Sequence, residues 1–191
     1  MKSIIHTTIL AAAFLLGSIS QGFAGNGRKA DTSNIEDDQV CLEVLGIAMD
    51  SNNKPIDGVE VKLYRENDEQ EWIQVTSVMY HEHSFLFKLE ANEYYTIEIS
   101  KPGFVTRSVG ISTVIPKDVS LEEKFRYEFE VELFKEKKNV NDFYLDFPVA
   151  LISYNAERDV FDNNANYTRH IKTMIRQTVD EASSKPLTPL K

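Results

Sequence analysis

The chain has 191 residues and a formal net charge of −9, from 30 Asp and Glu against 21 Lys and Arg, with a single cysteine. That acidity argues against nucleic acid, which is bound by Lys and Arg neutralising phosphates, and against anionic lipid headgroups. One cysteine excludes an intramolecular disulfide.

The first 24 residues read as an export signal. Lys2 gives a positive start, Ile9-Leu10-Ala11-Ala12-Ala13-Phe14-Leu15-Leu16 an apolar stretch, and Gly22-Phe23-Ala24 the small residues that precede a cleavage site after Ala24. The apolar stretch falls short of the roughly 20 residues that a bilayer span needs. A buried amphipathic helix would need a polar face, which it lacks. No second run of membrane length follows, so the mature chain is expected to have no transmembrane span. A lipoprotein anchor would need a cysteine directly after the apolar stretch. Cys41 lies far beyond it, behind Glu36-Asp37-Asp38-Gln39, and reads as a buried strand residue. The expected location is the periplasm or the outer membrane. Residues 25–39 are polar, without apolar periodicity, and read as a flexible leader.

From Val40 the pattern becomes period two. Val40, Leu42 and Val44 open a strand that ends at the turn formers Asp50-Ser51-Asn52-Asn53-Lys54-Pro55. After Asp57-Gly58, Val59, Val61 and Leu63 alternate with Glu60, Lys62 and Tyr64. A polar break at 65–71 precedes a strand over 72–79. Tyr80-His81-Glu82-His83-Ser84 then leads to Phe85-Leu86-Phe87-Lys88-Leu89. Glu90-Ala91-Asn92-Glu93 turns the chain into Tyr94-Tyr95-Thr96-Ile97-Glu98-Ile99, a run of strand formers. Lys101-Pro102-Gly103-Phe104 has proline and glycine placed as in a β-turn. Strands over 105–114 and 125–134 complete a set of seven within residues 40–134. This spacing, with no long amphipathic helix between, predicts a mainly β fold, a seven-stranded Ig-like or prealbumin-like β-sandwich.

These residues resemble a known family. Val44-Leu45-Gly46 followed by Pro55-Ile56-Asp57-Gly58-Val59-Glu60-Val61-Lys62-Leu63 is similar to the opening hairpin of the carboxypeptidase regulatory-like domain. Phe85-Leu86-Phe87-Lys88-Leu89, Tyr94-Tyr95-Thr96-Ile97-Glu98-Ile99 and Lys101-Pro102-Gly103-Phe104-Val105 resemble its later strands in the same order. The resemblance covers residues 40–134. It implies a seven-stranded transthyretin-like sandwich, frequent in exported proteins of Bacteroidetes-type bacteria and used there as a scaffold or docking module. One departure stands at Tyr80-His81-Glu82-His83-Ser84, where the family carries a glycine turn.

Residues 135–191 form an extension. Within 143–154, Phe143, Leu145, Phe147, Val149 and Leu151 recur at period two. Pro148 cannot donate to a ladder, so an edge strand or an extended segment over the sandwich is expected. Asn163-Asn164 can cap a helix over about 164–182. Tyr167, Ile171, Met174, Ile175 and Val179 form its apolar stripe. The stripe either completes the sandwich core or docks on a partner, through Ile171 and Ile175. A frayed tail follows Ser183-Ser184-Lys185-Pro186.

The chain offers little to catalysis. His81 and His83, at i and i+2 on a strand, would share a face, but a zinc site wants a third ligand. Glu82 points away and His170 is far along the chain. No H-x-x-E motif occurs, so a metal-free polar turn is expected, with His81 and His83 as candidate contacts to a ligand or partner. Asp162-Asn163-Asn164-Ala165-Asn166 has the oxygens of a calcium loop. It fails at Tyr167 and Thr173, where glycine and glutamate are required. No G-x-S-x-G elbow and no phosphate loop is present. The expectation is a non-enzymatic envelope module without cofactor, whose partner is another envelope protein. The alternative is an exported module that binds a glycan or other ligand through exposed aromatics such as Trp72, Tyr80, Tyr94 or Tyr95.

Overall fold

The computed structural model of the protein describes residues 39–80, 84–120, 124–136 and 145–184. The export signal, most of the leader, His81, His83 and the final tail lie outside these residues.

The seven strands form where period two places them: β1 Val40–Met49, β2 Val59–Glu66, β3 Trp72–Tyr80, β4 Ser84–Glu90, β5 Tyr94–Ser100, β6 Arg107–Ser112 and β7 Phe125–Glu132. The extension adds β8 Ala150–Asn155 and β9 Val160–Asn163, then helix α1 Ala165–Ser184. The fold is therefore mainly β, with nine strands among the described residues rather than the seven expected. They lie in a three-stranded sheet, β4-β1-β7, and a six-stranded sheet, β3-β2-β5-β6-β8-β9.

Alternation dictates what the sheets enclose. Val59, Val61 and Leu63 of β2, Ile97 and Ile99 of β5, and Val109 and Ile111 of β6 face Leu42, Val44, Phe85, Phe87 and Leu89 across one core. Cys41 is fully buried in it, and burial pushes its thiol up to about 11. Gly46 pairs with Phe85, whose ring occupies the space where a Cβ would stand. Phe125 of β7 makes edge-on contacts with Tyr154 of β8 and Phe161 of β9, joining the two sheets along one side.

Turn chemistry follows the sequence closely. Gly103 sits at φ +80° after Pro102, and the Phe104 N–H donates to the Lys101 carbonyl at 3.0 Å. Asp50 accepts the N–H groups of Asn52 and Lys54 at 2.8 and 2.9 Å. These bonds hold its carboxyl below the usual range.

The extension departs from expectation in two ways. β8 is not an edge strand: it lies between β6, with which it runs parallel, and β9. The proline rule is not violated, because Pro148 ends before the ladder begins at Ala150. The apolar period also changes face there. Ile152 is buried whereas Leu151 lies on the outer face above Gly110, where a Cβ would meet it at 2.9 Å. β9 went unread because Val160-Phe161-Asp162-Asn163 is four residues of mixed polarity.

Asn164 caps α1. Its Oδ1 accepts the Tyr167 N–H at 3.0 Å and its carbonyl accepts the Thr168 N–H at 2.9 Å. Ile171 and Ile175 are buried with Leu145 in a small second cluster, flanked by Val105, Phe134, Val149 and Tyr167. The Tyr167 hydroxyl donates to the Pro148 carbonyl at 2.8 Å.

Candidate functional site

A sheet edge offers unpaired N–H and C=O groups to any passing strand, so soluble proteins blunt their edges with charge, proline, brevity or bulges. Among the described residues the two sheets have four edges, and three of them obey that rule. β4 carries Lys88 and Glu90, the latter paired with Arg65 at 3.1 Å. β7 carries Arg126, Glu128, Glu130 and Glu132. β9 is only four residues long and bears Asp162, paired with Arg158.

β3 does not. Its nine residues, Trp72-Ile73-Gln74-Val75-Thr76-Ser77-Val78-Met79-Tyr80, include no charge, no proline and no glycine. Trp72, Ile73 and Met79 are each about half exposed, and Val78 is 38% exposed. The pairing with β2 shifts register between Leu63 and Tyr64 and leaves Val75 as a bulge, the one protective device on this strand. One side of β3 is thus held in the ladder by β2, while the other has no paired strand among the described residues and presents a neutral, largely apolar row.

The outer face of the same sheet begins at this edge. Ser77 donates to Glu60 at 2.9 Å, and Lys62 lies between Glu60 at 3.6 Å and Glu98 at 3.4 Å. Burial opposes the charge on Lys62, but the two carboxylates hold it protonated beyond its ordinary range. Trp72 pairs with Glu66 and Tyr64 with Gln74 towards one end of this face. Tyr94, half exposed, lies near the same end of β5.

The aromatics named from the sequence divide. Trp72 and Tyr94 are exposed. Tyr95 is buried, its hydroxyl accepting the Glu90 N–H at 3.2 Å. Tyr80 is half-buried against Phe85, 5.7 Å between ring centres, and burial raises its hydroxyl. No single exposed row of four rings forms. Ile171 and Ile175 are buried with Leu145 in the small second cluster, apart from the main core between the sheets. His81 and His83 lie outside the described residues. Among the described residues, no group of three or more His, Cys, Asp or Glu could hold a metal ion, and no helix is long and apolar enough to cross a membrane. Ile73, Val78 and Met79 were not singled out from sequence. The signal was nonetheless legible: an uncharged run of nine residues in an acidic chain.

No family model matches the chain, and no curated protein matches it in sequence. Among solved structures it is similar to catechol 1,2-dioxygenase from Pseudomonas arvilla, with 12% identity, a TM-score of 0.39 and 56% of each chain covered. It is also similar to 3-chlorocatechol 1,2-dioxygenase from Rhodococcus opacus, with 10% identity, a TM-score of 0.37, and 62% of this chain and 71% of that one covered. Transthyretin from Sparus aurata gives 13% identity and a TM-score of 0.36, over 48% of this chain and 90% of that one. The chain spans little more than half of the first of these proteins. At these identities and TM-scores the likenesses carry no argument about chemistry.

Proposed function

We propose that the protein is an exported, non-enzymatic module of the cell envelope that docks an extended segment of another envelope protein along the open edge of β3. The observation that carries this reading is the neutral, half-exposed row from Trp72 to Tyr80 beside three edges blunted by charge or brevity. Strand addition takes its affinity from main-chain hydrogen bonds and its selectivity from alternate side chains. β3 offers both. The resemblance of residues 40–134 to carboxypeptidase regulatory-like domains supports the same use.

Capture from the native envelope with tagged wild-type protein and with Val78→Lys tests the reading, followed by amide hydrogen exchange on the recovered complex. We expect slowed exchange across residues 72–80 in the complex, and loss of the partner with Val78→Lys while melting stays unchanged. Equal capture by the charged variant, or protection confined to other strands, overturns it.

A second reading rests on the exposure of Trp72 and Tyr94: the outer face around them binds a glycan or other ligand. Trp72 is the only tryptophan, so its fluorescence reports on this directly. Emission that shifts on adding envelope oligosaccharides, and binding lost with Tyr94→Ala, would favour the ligand over the strand.

A further inference from the structure

Arg107 opens β6 on its inward face and is only 2% exposed. Its guanidinium carbon stands 5.5 Å from the centre of the Phe134 ring. Its Nε and Nη1 are buried without a hydrogen-bond partner. Burial lowers its pKa to about 10, and Glu132 and Tyr167 partly offset this from a distance, so the group stays charged at neutral pH. In the first turn of α1, one residue from Tyr167, the buried Thr168 Oγ1 is also without a partner. Among the described residues these three are all the buried side-chain nitrogen and oxygen atoms left unpaired.

Arg107 and Tyr167, the residue before Thr168, interact electrostatically. Phe134, beneath Arg107, and Tyr167, beside Thr168, both flank the small cluster through which α1 packs on the sandwich. Elsewhere the buried polar groups are matched: Thr113, fully buried, both donates to and accepts from the Glu93 backbone. A dry, charged guanidinium is strongly disfavoured unless an anion and its lone pairs meet it. A hydroxyl can donate to the same anion, and charge-assisted bonds of this kind are the strong ones.

We propose that the seam between α1 and the sandwich is an oxyanion site, in which Arg107 supplies the positive charge and Thr168 a hydroxyl donor to a carboxylate or phosphate group. The proposal is independent of the β3 edge, and it needs no residue of that strand.

Calorimetric melting of the mature full-length protein tests it at pH 7, with sodium acetate or sodium phosphate compared with sodium chloride at equal ionic strength. A saturable rise in Tm with one of the two oxyanions is expected. Acetate alone would identify a carboxylate site and phosphate alone a phosphate site. Arg107→Met should abolish the response, and Thr168→Val should weaken apparent affinity by about tenfold, as loss of one charge-assisted hydrogen bond implies. Thr168→Val keeps the shape of the side chain, so it decides the matter even where Arg107→Met fails to fold. Identical melting in all three salts, or an unaltered oxyanion response in Thr168→Val, overturns the proposal.

Discussion

Gly46 shows how much one missing atom controls. It sits in the middle of β1, where glycine ordinarily weakens a strand. Here it makes room for Phe85, which pairs with it across the ladder and touches Tyr80, Phe87 and Phe129 at 5.7–5.8 Å between ring centres. A methyl group at residue 46 would lie 2.1 Å from the Phe85 ring, far inside van der Waals contact. Gly46→Ala must therefore displace a fully buried ring that anchors the three-stranded sheet. We expect a loss of about 1–3 kcal/mol or more, typical of overpacking a dense core, read as a lower urea midpoint. A variant that melts like wild type would show that the ring has an alternative rotamer at no cost. The sequence marked Gly46 only within the Val44-Leu45-Gly46 segment. Which side chain it faces depends on the register of β1 against β4, and no local pattern encodes that.

At the scale of elements, the extension is structural on two counts. β8 and β9 complete the six-stranded sheet, and Ile152 and Phe161 belong to the main core. α1 covers the neighbouring end through Ile171 and Ile175. Placing a carboxylate at Ile171 or Ile175 buries an unpaired charge without altering the caps of the helix. Ile171→Asp and Ile175→Asp should each lower stability by about 2–5 kcal/mol, the order seen when large buried aliphatic side chains are lost. The change should appear as a lower thermal midpoint. Unchanged melting would mean that α1 contributes nothing to the fold. The helix itself was readable, from Asn164 through the stripe of Tyr167, Ile171 and Ile175, because caps and period are local properties. Its docking partner was not, because Leu145 and Val105 are brought to it by chain reversals that no spacing rule describes.

For the whole molecule, burial makes several groups resist ionisation. Tyr95 is pushed up to about 12 by burial, although the Glu90 backbone N–H works the other way, and Cys41 is raised to about 11 by burial. Tyr154 also reaches about 12, held chiefly by its hydrogen bond to Asp159 at 2.6 Å. A folded-state pKa above the unfolded value means stability that is complete below the unfolded pKa and lost as pH rises through the folded one. The protein should accordingly hold its stability to about pH 9 and lose it between there and pH 12. Tyr95 alone accounts for about 2–3 kcal/mol of that loss, from two pKa units at 1.36 kcal/mol each. Denaturant midpoints taken with tyrosinate absorbance check this. A flat stability profile across that window, or full tyrosine ionisation before unfolding, contradicts it.

Alternation, turn residues and helix caps act over a few neighbours, so the amino-acid sequence by itself determined seven strands, the Pro102-Gly103 turn, the Asn164 cap and a mainly β class. Other features arise from pairing between distant segments. The parallel seating of β8 beside β6, the short strand β9, the burial of Arg107 beside Phe134 and the exposure of β3 are of this kind. An edge strand and an interior strand can carry the same alternation. Only tertiary structure decides which of them is left without a neighbour, because that depends on where the other strands find their own hydrogen bonds.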